Sequence, residues 1–128
     1  GSASNVIDYI TIATPSNATD FGDLTLARYG MASVSSETRA VFAGGITGSA
    51  ENVMDYVTIA TTGNATDFGD LTLARYQVVG ASSGTRGVFA GGVTVNNIDY
   101  ITIASAGNAT DFGDLLSTTY SMGGFSGD

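Results

Sequence analysis

Short apolar runs rich in Ile, Val, Tyr, Phe and Thr alternate along this chain with breaks containing Gly, Asn and Ser. That pattern predicts short strands joined by tight turns rather than helices. Four strand-like pieces follow one another between 28 and 71: Arg28 to Ser35, Thr38 to Gly45, Asn52 to Ala60 and Asn64 to Leu71. Ser36-Glu37, the looser loop Ile46 to Glu51, and Thr61-Thr62-Gly63 separate them. The earlier copy of the third piece places Ile7, Tyr9, Thr11 and Ala13 on one face and Asp8, Ile10, Ile12 and Thr14 on the other. Neither face is cleanly polar, so the sheet is expected to be covered on both sides.

The pattern recurs almost word for word. Residues 5–29 read NVIDYITIATPSNATDFGDLTLARY, 52–76 read NVMDYVTIATTGNATDFGDLTLARY, and 97–120 read NIDYITIASAGNATDFGDLLSTTY. The Asp that opens DFGD stands at Asp20, Asp67 and Asp111, spaced by 47 and then 44 residues. Four short strands repeated at this period predict an all-β propeller of four-stranded antiparallel blades. Gly44-Gly45 and Gly91-Gly92 close the second strand of each blade. No Lys follows them, so they are strand glycines and not a phosphate loop.

The phase of the repeats divides the chain. Residues 1–27 supply the third and fourth strands of a split blade, 28–74 and 75–118 are full blades, and 119–128 begin a further one. The chain thus supplies about 2.75 blades, and propellers have about four to eight. Further copies in a homo-oligomer, or other segments of a longer parent chain, are expected to complete the ring. The absent second strand leaves a slot that a partner strand could fill.

An Arg-led strand, an aromatic two residues before a double glycine, a Tyr-bearing strand and a last strand with an aromatic resemble the Kelch repeat. The residues are Arg28, Phe42, Gly44, Gly45, Tyr56 and Phe68, then Arg75, Phe89, Gly91, Gly92, Tyr100 and Phe112. Kelch blades usually carry Trp in the last strand, where this chain has Phe21, Phe68 and Phe112. The wording DYITIA, GNATDFGDLT and VFAGG also resembles repeats in virion and tail-associated proteins predicted for marine tailed phages. That resemblance implies a structural or adhesion role on a virion or extracellular surface, with no assigned active site.

Charge and composition narrow the chemistry. Twelve acids against four arginines and no lysine give a net charge of −8. Such a surface excludes nucleic-acid partners, which need basic patches, and no apolar run suits membrane insertion. Cys and His are absent, which removes disulfides, soft-metal sites and histidine bases. The pairs Asp20/Asp23, Asp67/Asp70 and Asp111/Asp114 are candidate calcium ligands, the one cofactor the sequence suggests. They lack the dense DxDxDG spacing of a calcium loop, and turn capping or pairing with arginine is the structural alternative. Arg28, Arg39, Arg75 and Arg86 all lie in the repeat frame and are expected to form structural ion pairs. Thr119 stands where Arg28 and Arg75 stand in the other copies.

Asn17, Asn64 and Asn108 open formal glycosylation sequons, which turn chemistry repeated by duplication also explains. Tyr9, Tyr56, Tyr100, Phe21, Phe68 and Phe112 suit an inter-blade core, or sugar platforms if exposed. Catalytic residues are not expected, because symmetric carboxylates without His or Lys do not separate acid from base. The expected function is therefore a non-enzymatic structural or interaction module meeting a surface glycan or protein. The alternatives are a multivalent carbohydrate-binding propeller, and a fibre-forming or engineered propeller fragment joined through its incomplete blade.

Overall fold

The computed structural model describes residues 2–118 and 123. Its ten strands fall into three antiparallel sheets, with no helix among the described residues. The first sheet pairs β1 (Ser4–Tyr9) with β2 (Thr19–Arg28). The second runs in chain order through β3 (Ala32–Ser35), β4 (Arg39–Ala43), β5 (Val53–Thr58) and β6 (Thr66–Asp70). The third repeats it as β7 (Val79–Ser82), β8 (Arg86–Ala90), β9 (Asn97–Thr102) and β10 (Thr110–Asp114). The chain is all-β, built on four-stranded antiparallel meanders. The described residues do not close into a ring.

Most strands are shorter than the apolar pattern suggests, whereas β2 runs longer, ten residues to Arg28. Arg28 ends β2 instead of opening the next sheet, and Arg75 lies outside any strand. Gly30, at φ +71°, turns the chain between β2 and β3. The third strand stops at Thr58 in one copy and at Tyr9 in the first. Ile10 and Ile12 therefore lie in an exposed turn and not on a strand face. The strand expected over 119–128 falls almost wholly outside the described residues.

The core forms where the sheets stack, with β3 packed on β7 and β8. Ala32 and Val34 of β3 alternate with exposed Ser33 and Ser35, the period-two pattern of a strand with one buried face. Val41, Met54, Phe68, Phe89, Ile101 and Ile103 complete the packing and are essentially inaccessible to water. Gly80 and Gly87 make the stacking close: a Cβ on Gly80 would sit 2.5 Å from the Ser33 carbonyl oxygen, and one on Gly87 2.6 Å from Val34.

Replacement of Gly80 by Ala should therefore force the sheets apart and cost about 1–3 kcal/mol of unfolding free energy. Gly48→Ala, where no atom lies within 4 Å of the added methyl, should change stability by less than about 0.5 kcal/mol. Equilibrium urea denaturation of the two variants checks the difference.

Candidate functional site

Each unit grips the next through a buried clasp. Asp55 lies on β5, in the middle of an apolar strand, and is fully buried. A buried carboxylate is tolerated only when paired and hydrogen-bonded. Its partners come from the preceding unit. Arg28 Nη1 reaches Asp55 Oδ2 at 2.8 Å. The Thr25 backbone N–H donates to the same oxygen at 3.3 Å, and the Thr25 hydroxyl donates to Oδ1.

The next junction repeats the arrangement. Arg75 Nη2 reaches Asp99 Oδ2 at 2.9 Å, and Thr72 donates to Asp99 from its backbone at 3.0 Å and its hydroxyl at 2.6 Å. Arg75 also donates to the carbonyls of Asn97 and Phe89. Burial pushes the Arg75 pKa below its ordinary value, while the Asp99 charge pulls it back up. An arginine stays protonated under either influence. Arg28 Nε and Arg75 Nε are buried without a hydrogen-bond partner.

The double glycine makes room for this clasp. Gly44 adopts φ +69°, and a Cβ there would lie 2.6 Å from the Arg75 carbonyl oxygen. Gly45 donates its N–H to that same oxygen at 2.9 Å. Only glycine allows both the left-handed backbone and the approach.

A second contact stitches each junction at its rim. The turn Gly63-Asn64-Ala65 lies along β2: Gly63 N–H donates to Phe21 O at 2.7 Å, and Ala65 N–H to Asp23 O at 2.8 Å. The Asp23 N–H donates back to Asn64 Oδ1 at 3.1 Å. Gly107-Asn108-Ala109 treats Phe68 and Asp70 of β6 the same way, at 2.6, 2.8 and 3.0 Å. Gly22 and Gly69 are needed here, because a Cβ on either would lie within 2.5 Å of the arriving turn.

No family model and no curated protein matches this chain. Its candidate site therefore stands on geometry alone. Of the four arginines expected in ion pairs, Arg28 and Arg75 make them, with Asp55 and Asp99 as partners. Arg39 and Arg86 form no ion pair among the described residues. Their guanidinium groups lie over the rings of Tyr56 and Tyr100 at 4.1 and 4.4 Å, cation–π contacts that register-matched strands bring together. Arg39 also donates to Ile103 O at 3.0 Å.

The DFGD element serves the rim through its main chain and not through its carboxylates. Asp23 and Asp70 act through their backbones, and Asp20, Asp67, Asp111 and Asp114 are exposed. No group of three or more potential ligands that could share a cation occurs among the described residues. Of the sequon asparagines, Asn64 and Asn108 are the rim acceptors and Asn17 is exposed.

Tyr9, Tyr56 and Tyr100 meet Phe21, Phe68 and Phe112 edge-to-face, at centroid separations of 5.8, 5.9 and 6.0 Å. Phe21 and Phe68 are buried, and arginine covers Tyr56 and Tyr100, so these four rings are packing groups and not open platforms. The residues that the apolar pattern does not pick out are Asp55 and Asp99. Their signal is a carboxylate at one register of the same apolar strand in every copy, with Asp8 as the third.

Arg75→Met should strand the Asp99 charge and cost about 3–5 kcal/mol. Arg75→Met combined with Asp99→Leu should cost clearly less than the sum of the two single changes, because no charge is then left buried alone. A double-mutant cycle by urea denaturation measures both.

Proposed function

We propose that this chain is a non-enzymatic structural module of a virion or extracellular surface, a Kelch-like propeller segment that assembles with further copies. One observation carries the reading: every buried charged side chain among the described residues holds one unit to the next. Charges so placed serve cohesion between units, the requirement of a structural module. The repeated wording favours the virion setting, and the order of Arg, double Gly, Tyr and Phe favours the Kelch-like blade.

The module works by rigid display. The clasps fix the sheets, and the variable loops Ile46 to Glu51 and Val93 to Asn96 project from the same place in successive units. The first loop is held by a bond of its own and the second by a bond to the segment after β10. Thr47 Oγ1 donates to Glu51 Oε1 at 2.6 Å, and Asn96 Nδ2 donates to Leu115 O at 3.3 Å. They differ in length and sequence while the frame beneath stays constant, which is how a repeat scaffold varies its binding surface.

A multivalent carbohydrate-binding role is the second reading. A cleft of about 490 Å³ between the β3–β4 and β7–β8 turns favours it, with Ser36, Thr38, Ser83, Thr85 and Thr102 offering hydroxyls beside Glu37. Weak sites repeated around a ring would add by avidity.

Light scattering with electron microscopy is expected to show a folded ring containing more than one copy. A folded particle of single-copy mass at every concentration overturns assembly between copies and leaves further units of a longer chain to close the ring. A glycan panel at millimolar sugar should show no retention on the structural reading, and retention lost on Glu37→Ala would establish the carbohydrate one.

A further inference from the structure

The two internal junctions are built from the same two halves, and each half also occurs once without those bonds among the described residues. The acceptor half is the last strand of a unit. Phe112, Gly113 and Asp114 on β10 correspond to Phe21–Asp23 on β2 and Phe68–Asp70 on β6. Phe112 is 57% exposed, whereas Phe21 and Phe68 are 8% and 2% exposed. A Cβ on Gly113 would meet nothing within 4 Å, although Gly113 keeps the φ of +140° that its counterparts use to admit a turn. The rim bonds made by Phe68 and Asp70 have no counterpart at Phe112 and Asp114 among the described residues.

The donor half is the turn Ser16-Asn17-Ala18, which aligns with Gly63-Asn64-Ala65 and Gly107-Asn108-Ala109. Ala18 is exposed where Ala65 and Ala109 are half-buried. Ser16 is compatible with the donor role as Gly107 performs it, because Gly107 has no left-handed φ and a Cβ placed there meets no atom within 4 Å.

We propose that β10 of one copy receives the Ser16–Ala18 turn of a second copy, head to tail. The inference rests on the assembly reading above and assigns the surface that performs it. In the seam, Ser16 N–H donates to Phe112 O, Ala18 N–H donates to Asp114 O, and Asp114 N–H donates to Asn17 Oδ1. Phe112 is covered as Phe68 is. The occupant follows from continuity: the exposed strand extends an interface that this chain already builds twice from the same residues. Contacts of unlike halves are heterologous, so copies join into rings or filaments according to whether the rotation closes.

The seam differs from the internal junctions in one respect. Leu116 stands at the position of Thr25 and Thr72, and Thr119 at that of Arg28 and Arg75. Asp8 of the second copy, the counterpart of Asp55 and Asp99, therefore lacks the counterparts of the threonine and arginine that hold those two carboxylates. Copies are joined by the rim alone, and the seam is weaker than the bonds within a copy.

The chain has no cysteine, which makes the seam directly readable. Chains carrying only Ala18→Cys are mixed with chains carrying only Asp114→Cys under mild oxidation, beside light scattering of the unsubstituted chain. Asp70→Cys with Ala109→Cys in one chain, at residues joined by a 2.8 Å backbone bond, is the control for geometry. The expected product is a disulfide-linked pair of unlike chains in clear excess over either like pair. Leu116→Thr with Thr119→Arg should tighten association at least about tenfold, as close charge pairs across interfaces do. Adding Asp8→Ala should abolish that gain.

Assembled particles without the mixed disulfide would overturn this seam while leaving the assembly reading standing. Single-copy particles at every concentration, with no disulfide, would overturn both. Tightening by Leu116→Thr/Thr119→Arg that survives Asp8→Ala would also overturn the seam, because the gain would then come from elsewhere.

Discussion

A carboxylate buried in the middle of an apolar strand is the constraint around which this molecule is arranged. Asp55 and Asp99 are stable there only because the preceding unit delivers a threonine and an arginine to them. Delivery fixes much else. The chain must leave β2 at Arg28 so that the guanidinium points into the next sheet. The double glycine must let the backbone bearing Arg75 pass within hydrogen-bonding distance of Gly45. The register of β4 on β5 must set Phe42 opposite Asp55, where the Phe42 carbonyl oxygen accepts a further arginine bond. Hydrophobic burial supplies the bulk of the driving force, but it is non-directional. The clasp gives the stack its phase.

Much of this architecture was legible in the residues. The period, the four strands per unit and the β class follow from repeated apolar runs and glycine breaks. Strand limits did not follow, because the position of Arg28 is decided by Asp55, 27 residues onward, and local pattern carries no record of so distant a partner. Arg39 and Arg86 show the same limit. Their sequence setting resembles that of Arg28, yet cross-strand register brings a tyrosine ring to them instead of a carboxylate. The aromatic positions divide for a related reason: Phe21 and Phe68 are buried where a turn from the next unit bonds to them, and Phe112 is exposed with no such turn among the described residues. Burial in a repeat protein belongs to a neighbour as much as to a residue.

The third copy is informative because it is worn selectively. It keeps Phe112, Gly113 and Asp114, the residue types that form the rim in the other two copies, and changes the positions of the threonine and arginine that form the clasp. Those two parts of a junction are therefore separable. The rim uses backbone groups and one asparagine amide, whereas the clasp needs particular side chains on both sides.

The clasp also has a temporal meaning. Arg28 is made well before Asp55, and Arg75 before Asp99, so in each case the cation emerges from the ribosome while its anion is still unsynthesised. Hairpins close in about microseconds, far faster than translation at about 5–20 residues per second. In every clasp the group that fixes the register therefore precedes, in synthesis, the strand whose position it fixes.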